Sequence, residues 1–141
     1  MHPSAIVYPA IAMFFLTAAL IARLGYLRIG AVQRGEISIR YFRLYTEGAQ
    51  PEALQLIGRH VQNHFEVPPL FYAVVLFLYV TGSVTPLAVG LAWLYVASRC
   101  VHSWVHLGRN DVARRLLVWA TSLLILAALW GVLLVSLLEA A

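Results

Sequence analysis

Long apolar runs alternate with short polar stretches along this chain. Ala5 to Ala22 carries no charged residue, and a helix-like pattern continues through Arg23 to about Gln33. Val67 to Ser98 runs uncharged for 32 residues. One membrane span needs roughly 20 residues, and Thr81-Gly82-Ser83-Val84-Thr85-Pro86 divides this run with a turn. Leu116 to Leu138 is a clean span of 23 residues ending at Glu139. Arg34 to Pro51 is polar, with Gly35, Glu36, Ser38, Glu47, Gly48 and Gln50, and forms the one substantial loop. No internal repeat or low-complexity tract interrupts the pattern. It predicts a single domain over residues 1–141, an all-α integral membrane four-helix bundle with helices over about 5–33, 51–80, 85–108 and 112–138.

Composition agrees with this pattern. Of 141 residues 62% are hydrophobic and only 11% charged, with a mean hydropathy of +0.81. Soluble domains are about half apolar and a quarter charged, so a water-soluble globular protein is excluded. All ten basic residues are arginine, and the formal net charge is +4. On a membrane protein that excess reports orientation and anionic lipid contacts, not a nucleic-acid partner. Arg23, Arg28, Arg34, Arg40 and Arg43 surround the first loop, and Arg109, Arg114 and Arg115 the third. The positive-inside rule then puts loops one and three in the cytoplasm and both termini outside. Met1-His2-Pro3-Ser4 has no positive charge and no small-x-small site follows, so a cleavable signal is not expected. Compact size and lysine-free arginine use point to a bacterial inner membrane. The single cysteine, Cys100, excludes an internal disulfide and a cysteine-ligated cluster. Ile37 to Tyr45 mixes arginine with aromatic residues and is expected on the cytoplasmic membrane surface. Trp93, Trp104, Trp119 and Trp130 suit interfacial or lipid-facing belts.

The second and third helices bring charge into the membrane. The uncharged part of helix 2, Val67 to Val80, is 14 residues and too short to cross. Asn63 and Glu66 therefore lie within the hydrocarbon depth, with Arg59 near its edge. The same count from Pro86 places Arg99 and His102 inside. Such groups cost roughly 2.5–3.5 kcal/mol each on insertion scales, so they pair and face the bundle interior. Arg59, Asn63 and Glu66 stand at i, i+4 and i+7; Arg99, His102, His106 and Asn110 stand at i, i+3, i+7 and i+11. Counted from the turn near Ser83, the two stripes meet in three layers, Glu66 with Arg99, Asn63 with His102, and Arg59 with His106. The deepest layer predicts a direct ion pair between Glu66 and Arg99. Such a pair can also serve register alone. Val67-Pro68-Pro69 removes backbone donors and kinks helix 2 beside these layers.

These residues carry a family resemblance. Arg59-His60-Val61-Gln62-Asn63-His64-Phe65-Glu66 followed by Pro69-Leu70-Phe71 resembles the R-x-x-x-N-x-x-E…P-x-F signature of the MAPEG family, membrane-associated proteins in eicosanoid and glutathione metabolism. Arg99-Cys100-Val101-His102, then Leu107-Gly108 and Arg114-Arg115, is similar to the corresponding stretch of the family's microsomal prostaglandin E synthases. The resemblance covers about Arg59 to Trp130 well and helix 1 loosely. It implies a homotrimer of four-helix subunits, with glutathione as cofactor bound between subunits near the cytoplasmic side. Arg59, Asn63, Glu66 and Arg99 would hold its polar groups, with His102 and His106 beside them. Arg28, ahead of Arg23, would supply a helix 1 arginine. Arg115, or Arg114 with a poorer fit to the spacing, would stabilise the thiolate. Guanidinium forks and a carboxylate complement the two carboxylates and one ammonium of glutathione. A cation beside the sulfur favours the reactive thiolate.

Three positions depart from the family pattern. His106 stands where a tyrosine often follows, Leu116 where the prostaglandin synthases have serine, and Val67 where tyrosine or threonine is common. Eicosanoid chemistry is weakened by them. The function implied is a glutathione-dependent transferase or peroxidase acting on a lipophilic electrophile or peroxide; the alternative is a non-catalytic lipid- or glutathione-binding member of the same fold. Metal or haem is a further reading, because His60/His64 and His102/His106 are both i, i+4 pairs. His60 and His64, however, lie about 100° around the helix from the Arg59 stripe. The two pairs are therefore not expected to share a pocket within one subunit, no metal site is assigned, and His60 and His64 are expected at the membrane interface or at subunit contacts.

Overall fold

The computed structural model describes residues 2–45 and 50–140. These are helical with short connections and, among the described residues, contain no strand. A 3-10 turn, Pro3–Ile6, leads into α1, Val7–Gln33, which ends where Gly35 takes a left-handed φ of 70°. Glycine adopts that conformation without a Cβ penalty. A short helix, α2, Tyr41–Leu44, follows, and residues 46–49 of the expected first loop lie outside the described residues. Beside Gly35, Arg34 and Glu36 form an exposed ion pair at 2.6 Å, and its guanidinium holds the Glu36 carboxyl below the usual range.

The expected second helix is two segments, α3, Glu52–Glu66, and α4, Pro68–Val80. Val67 marks the break, since Pro68 and Pro69 have no N–H to continue the ladder. A turn at Gly82, φ 69°, leads to α5, Pro86–Leu107. There Thr85 caps the new helix by accepting from the Ala88 amide at 3.1 Å, and Pro86 sits at the first position, where its missing donor costs nothing. Asp111 caps α6, Val112–Glu139, by accepting from the Arg114 amide at 3.0 Å.

α1, α4, α5 and α6 enclose an apolar core at one end of the molecule. Met13, Phe71, Val74, Leu78, Ala92, Tyr95, Leu126, Leu129 and Leu133 are buried there, and Phe71 stacks on Tyr95 with ring centroids 4.4 Å apart. Small residues such as Ala88 and Ala92 let helices approach closely, which is how helices associate where lipid removes the hydrophobic drive. Meanwhile Phe14, Phe15, Ile29, Leu117, Leu124, Leu134 and Leu138 are exposed. Three helical stretches, Pro3–Gln33, Glu52–Val80 and Val112–Glu139, are long and apolar enough to cross a membrane. α5 is long enough at 22 residues but carries a polar face, with Arg99, His102, Ser103 and His106 all buried. That face turns inward and builds the site.

Candidate functional site

α3 is the amphipathic member of the bundle. Leu54, Ile57, Val61 and His64 fall at i, i+3, i+7 and i+10, and with His60 they are its buried residues. The histidines thus continue the apolar face toward α5, and the charged stripe lies on its flank. By helical geometry Asn63 stands about 80° from the centre of the histidine face, Arg59 about 120° and Glu66 about 140°. Contacts follow that order. Asn63 Oδ1 accepts from Arg99 Nη2 at 3.2 Å, whereas Arg59 and Glu66 are exposed.

The expected Glu66–Arg99 ion pair is therefore absent. Glu66 accepts from Gln62 Nε2 at 3.3 Å instead, and the ion pairs among the described residues are Arg34–Glu36 and Arg114–Asp111. Matching depth fixed the layer, but the angle around α3 turned the last residue away. Arg99 itself is fully buried, with Nε and Nη1 unpartnered.

The histidine pairs require the second correction. His60, His64, His102 and His106 are all buried, at no more than 5% exposure, and they meet inside one subunit. Ring centroids of His60 lie 4.9 Å from His64, 5.3 Å from His102 and 4.6 Å from His106. The 100° offset was measured from the charged stripe, and that stripe is not the inward face.

A cavity of about 400 Å³ opens beside this cluster, lined by Arg59, Asn63, His102, His106, Arg115 and Trp119, with Val112 and Leu116. Five of the expected site residues converge there from α3, α5 and α6. Arg115 is half-buried and donates from Nη1 to Asn110 Oδ1 at 2.7 Å. Asn110 holds a left-handed φ of 50°, a conformation asparagine tolerates, and so aims its amide back at α6. Arg114 is exposed, points 3.8 Å from Asp111, and lines a different cavity with Trp104 and Arg109. Arg28 stands apart from the first cavity. Its guanidinium lies 5.3 Å from the Phe42 ring centroid and 5.9 Å from that of Tyr45, and it shares a separate cavity with Arg59, Gln55 and Gln62. Trp119 was expected in a belt but lines the cavity. Asn110, the last member of the helix 3 stripe, holds Arg115, whereas Ser103 and Thr17 contribute contacts that spacing alone does not indicate.

A family model described as the MAPEG family matches residues 6–135, nearly the whole chain. The chain belongs to the MAPEG family. No curated protein and no solved structure gives a significant match. As a MAPEG chain with three stretches able to span a bilayer, it is an integral membrane protein. The family match includes every residue of the cavity, and membership fits a glutathione-related function.

Proposed function

We propose that this MAPEG protein binds glutathione in the cavity between α3, α5 and α6 and uses it to conjugate or reduce a lipophilic electrophile or peroxide. The observation that carries the reading is the convergence of Arg59, Asn63, His102, His106 and Arg115 on one space of about 400 Å³. A ligand with two carboxylates meets two guanidinium groups and an amide there, and charge-assisted bonds of this kind are about twice as strong as neutral ones. Bound glutathione supplies a thiol nucleophile. Arg115, held by Asn110, is the cation placed to favour its deprotonated form, and Arg99 orients the Asn63 amide from behind.

In this reading the subunits form a homotrimer in a bacterial inner membrane, and all four long helical columns cross it. Support comes from Glu66, an exposed carboxylate at the α3–α4 junction. Facing lipid it would be costly, whereas a neighbouring subunit or the ammonium of glutathione offsets that cost. Loops one and three, with most of the arginines, face the cytoplasm.

Ultraviolet absorbance of bound thiolate, titrated with pH at saturating glutathione, tests the assignment. Arg115→Ala should move the titration to higher pH, because removing the cation destabilises only the anionic form. Arg114→Ala should leave it in place. If neither substitution moves it, Arg115 has no part in thiolate formation and both arginines revert to topogenic charges.

A further inference from the structure

The histidine cluster has features that glutathione binding does not use. One ring nitrogen from each of His60, His102 and His106 lies within 4.8 Å of the other two. Hydrogen bonds around them assign protons. Ser103 donates its only hydroxyl proton to the Arg99 carbonyl at 2.9 Å, so its oxygen accepts from His60 Nε2–H at 2.8 Å. His60 Nδ1 is then a bare lone pair, buried and without a partner. On the α1 side Thr17 donates to the Met13 carbonyl at 3.0 Å and accepts from His64 Nδ1–H at 3.0 Å, leaving His64 Nε2 bare and buried in the same way. His102 Nδ1 is also buried and unpartnered, and of the two buried nitrogens of His106 at most one turns its N–H to a backbone carbonyl, that of Leu56.

Buried polar atoms in proteins are nearly always satisfied. Here several nitrogens of one histidine cluster are orphaned, His60 Nδ1 and His64 Nε2 as bare acceptors, and among them His60, His102 and His106 share one point. A bound cation satisfies lone pairs that no hydrogen bond reaches. The hydroxyl behind His60 also matches how ligating histidines are held, with the far ring N–H given to an outer partner.

We propose that His60, His102 and His106 bind one late first-row transition-metal ion of the Zn²⁺ class inside each subunit. Imidazole is a preferred ligand for these ions, and three protein nitrogens with one open position is a recurrent tetrahedral arrangement. Metal–nitrogen bonds of 2.0–2.1 Å set ligand nitrogens about 3.4 Å apart, which the imidazoles reach by closing inward from their present separation. No carboxylate or thiolate joins the set. The buried Arg99 guanidinium, one turn along α5, opposes added positive charge, so an anion such as hydroxide or chloride in the fourth position completes the site. His102 and His106 also line the cavity, which gives that anion its route. An imidazole has two nitrogens, so lining the cavity with one does not use up the other.

The test uses tag-free, detergent-purified full-length protein, stripped with a chelator, equilibrated with Zn²⁺ or Co²⁺ in the absence of glutathione, and desalted. Elemental analysis should find about one metal per chain, and the Co²⁺ form should show the visible ligand-field bands of a tetrahedral site. His60→Ala and His102→Ala should each remove the bound metal and the bands. Ser103→Ala keeps all three ligands, so it remains informative where a histidine variant fails to fold; loss of an outer-shell partner should weaken the metal about tenfold or more. Wild-type protein that retains no metal overturns the proposal. So does metal retained equally by the His60, His102 and Ser103 variants, which marks adventitious surface binding. Glutathione is absent throughout, so this result is independent of the glutathione reading.

Discussion

At the scale of single residues, two neighbouring arginines have different surroundings. Arg115 faces the cavity under the hold of Asn110, whereas Arg114 is solvent-facing beside Asp111. A group that acts on charge formed during reaction should lower kcat more than it changes KM. Arg115→Ala is expected to do so in a steady-state assay with a lipophilic electrophile, and Arg114→Ala to leave both constants near wild type. In the proposed reading Asn63 and Arg59 serve ground-state binding of glutathione. Asn63→Ala and Arg59→Ala should each weaken glutathione by about 1.5–3 kcal/mol, the worth of a hydrogen bond involving a charged group. Glu66→Gln discriminates further: with no bond to Arg99 in the subunit, it should leave the thermal stability of isolated subunits unchanged. That Arg59, Asn63, His102, His106 and Arg115 line one cavity was legible in part, because their types and spacing are unusual in an apolar chain. Glu66 was misplaced because depth along a helix says nothing of azimuth. Leu54, Ile57 and Val61 mark the inward face of α3 and place His60 and His64 on it, so the charged stripe is not the face that packs.

Elements were more legible than contacts. Apolar runs mark α1, α4, α5 and α6, and Pro68-Pro69 marks the break that separates the more polar α3 from α4. Such boundaries are written in local chemistry: proline lacks a donor, glycine accepts a left-handed φ, and threonine or aspartate caps. α2 was not foreseen as a helix, because one turn of Tyr41–Leu44 has no periodicity to detect. In the proposed function the start of α6 matters, since Asp111 caps the turn from which Arg115 projects. Asp111→Ala should cost about 1 kcal/mol of stability, as N-cap losses do. Thermal unfolding in detergent should show a lowered Tm, and the thiolate titration should be perturbed less than by Arg115→Ala. An unchanged Tm would mean that the cap contributes nothing to the helix.

For the molecule as a whole, composition was enough to place the chain in a membrane, and the family match over residues 6–135 agrees with it. The proposed subunit assembly is not displayed by a single chain, because its contacts would lie on faces that are exposed in one chain. The proposed trimer predicts a detergent-corrected mass three times that of the 15.7 kDa chain by light scattering. A monomer at every protein concentration would leave Glu66 without the cover the account gives it. The central claim is that the cavity between α3, α5 and α6 takes glutathione, and isothermal titration of glutathione into detergent-purified protein tests it most directly. The account predicts saturable heat from the wild type, weakened in Asn63→Ala and Arg59→Ala proteins that remain folded. Absence of saturable heat from folded wild-type protein, or wild-type affinity in both variants, would contradict it.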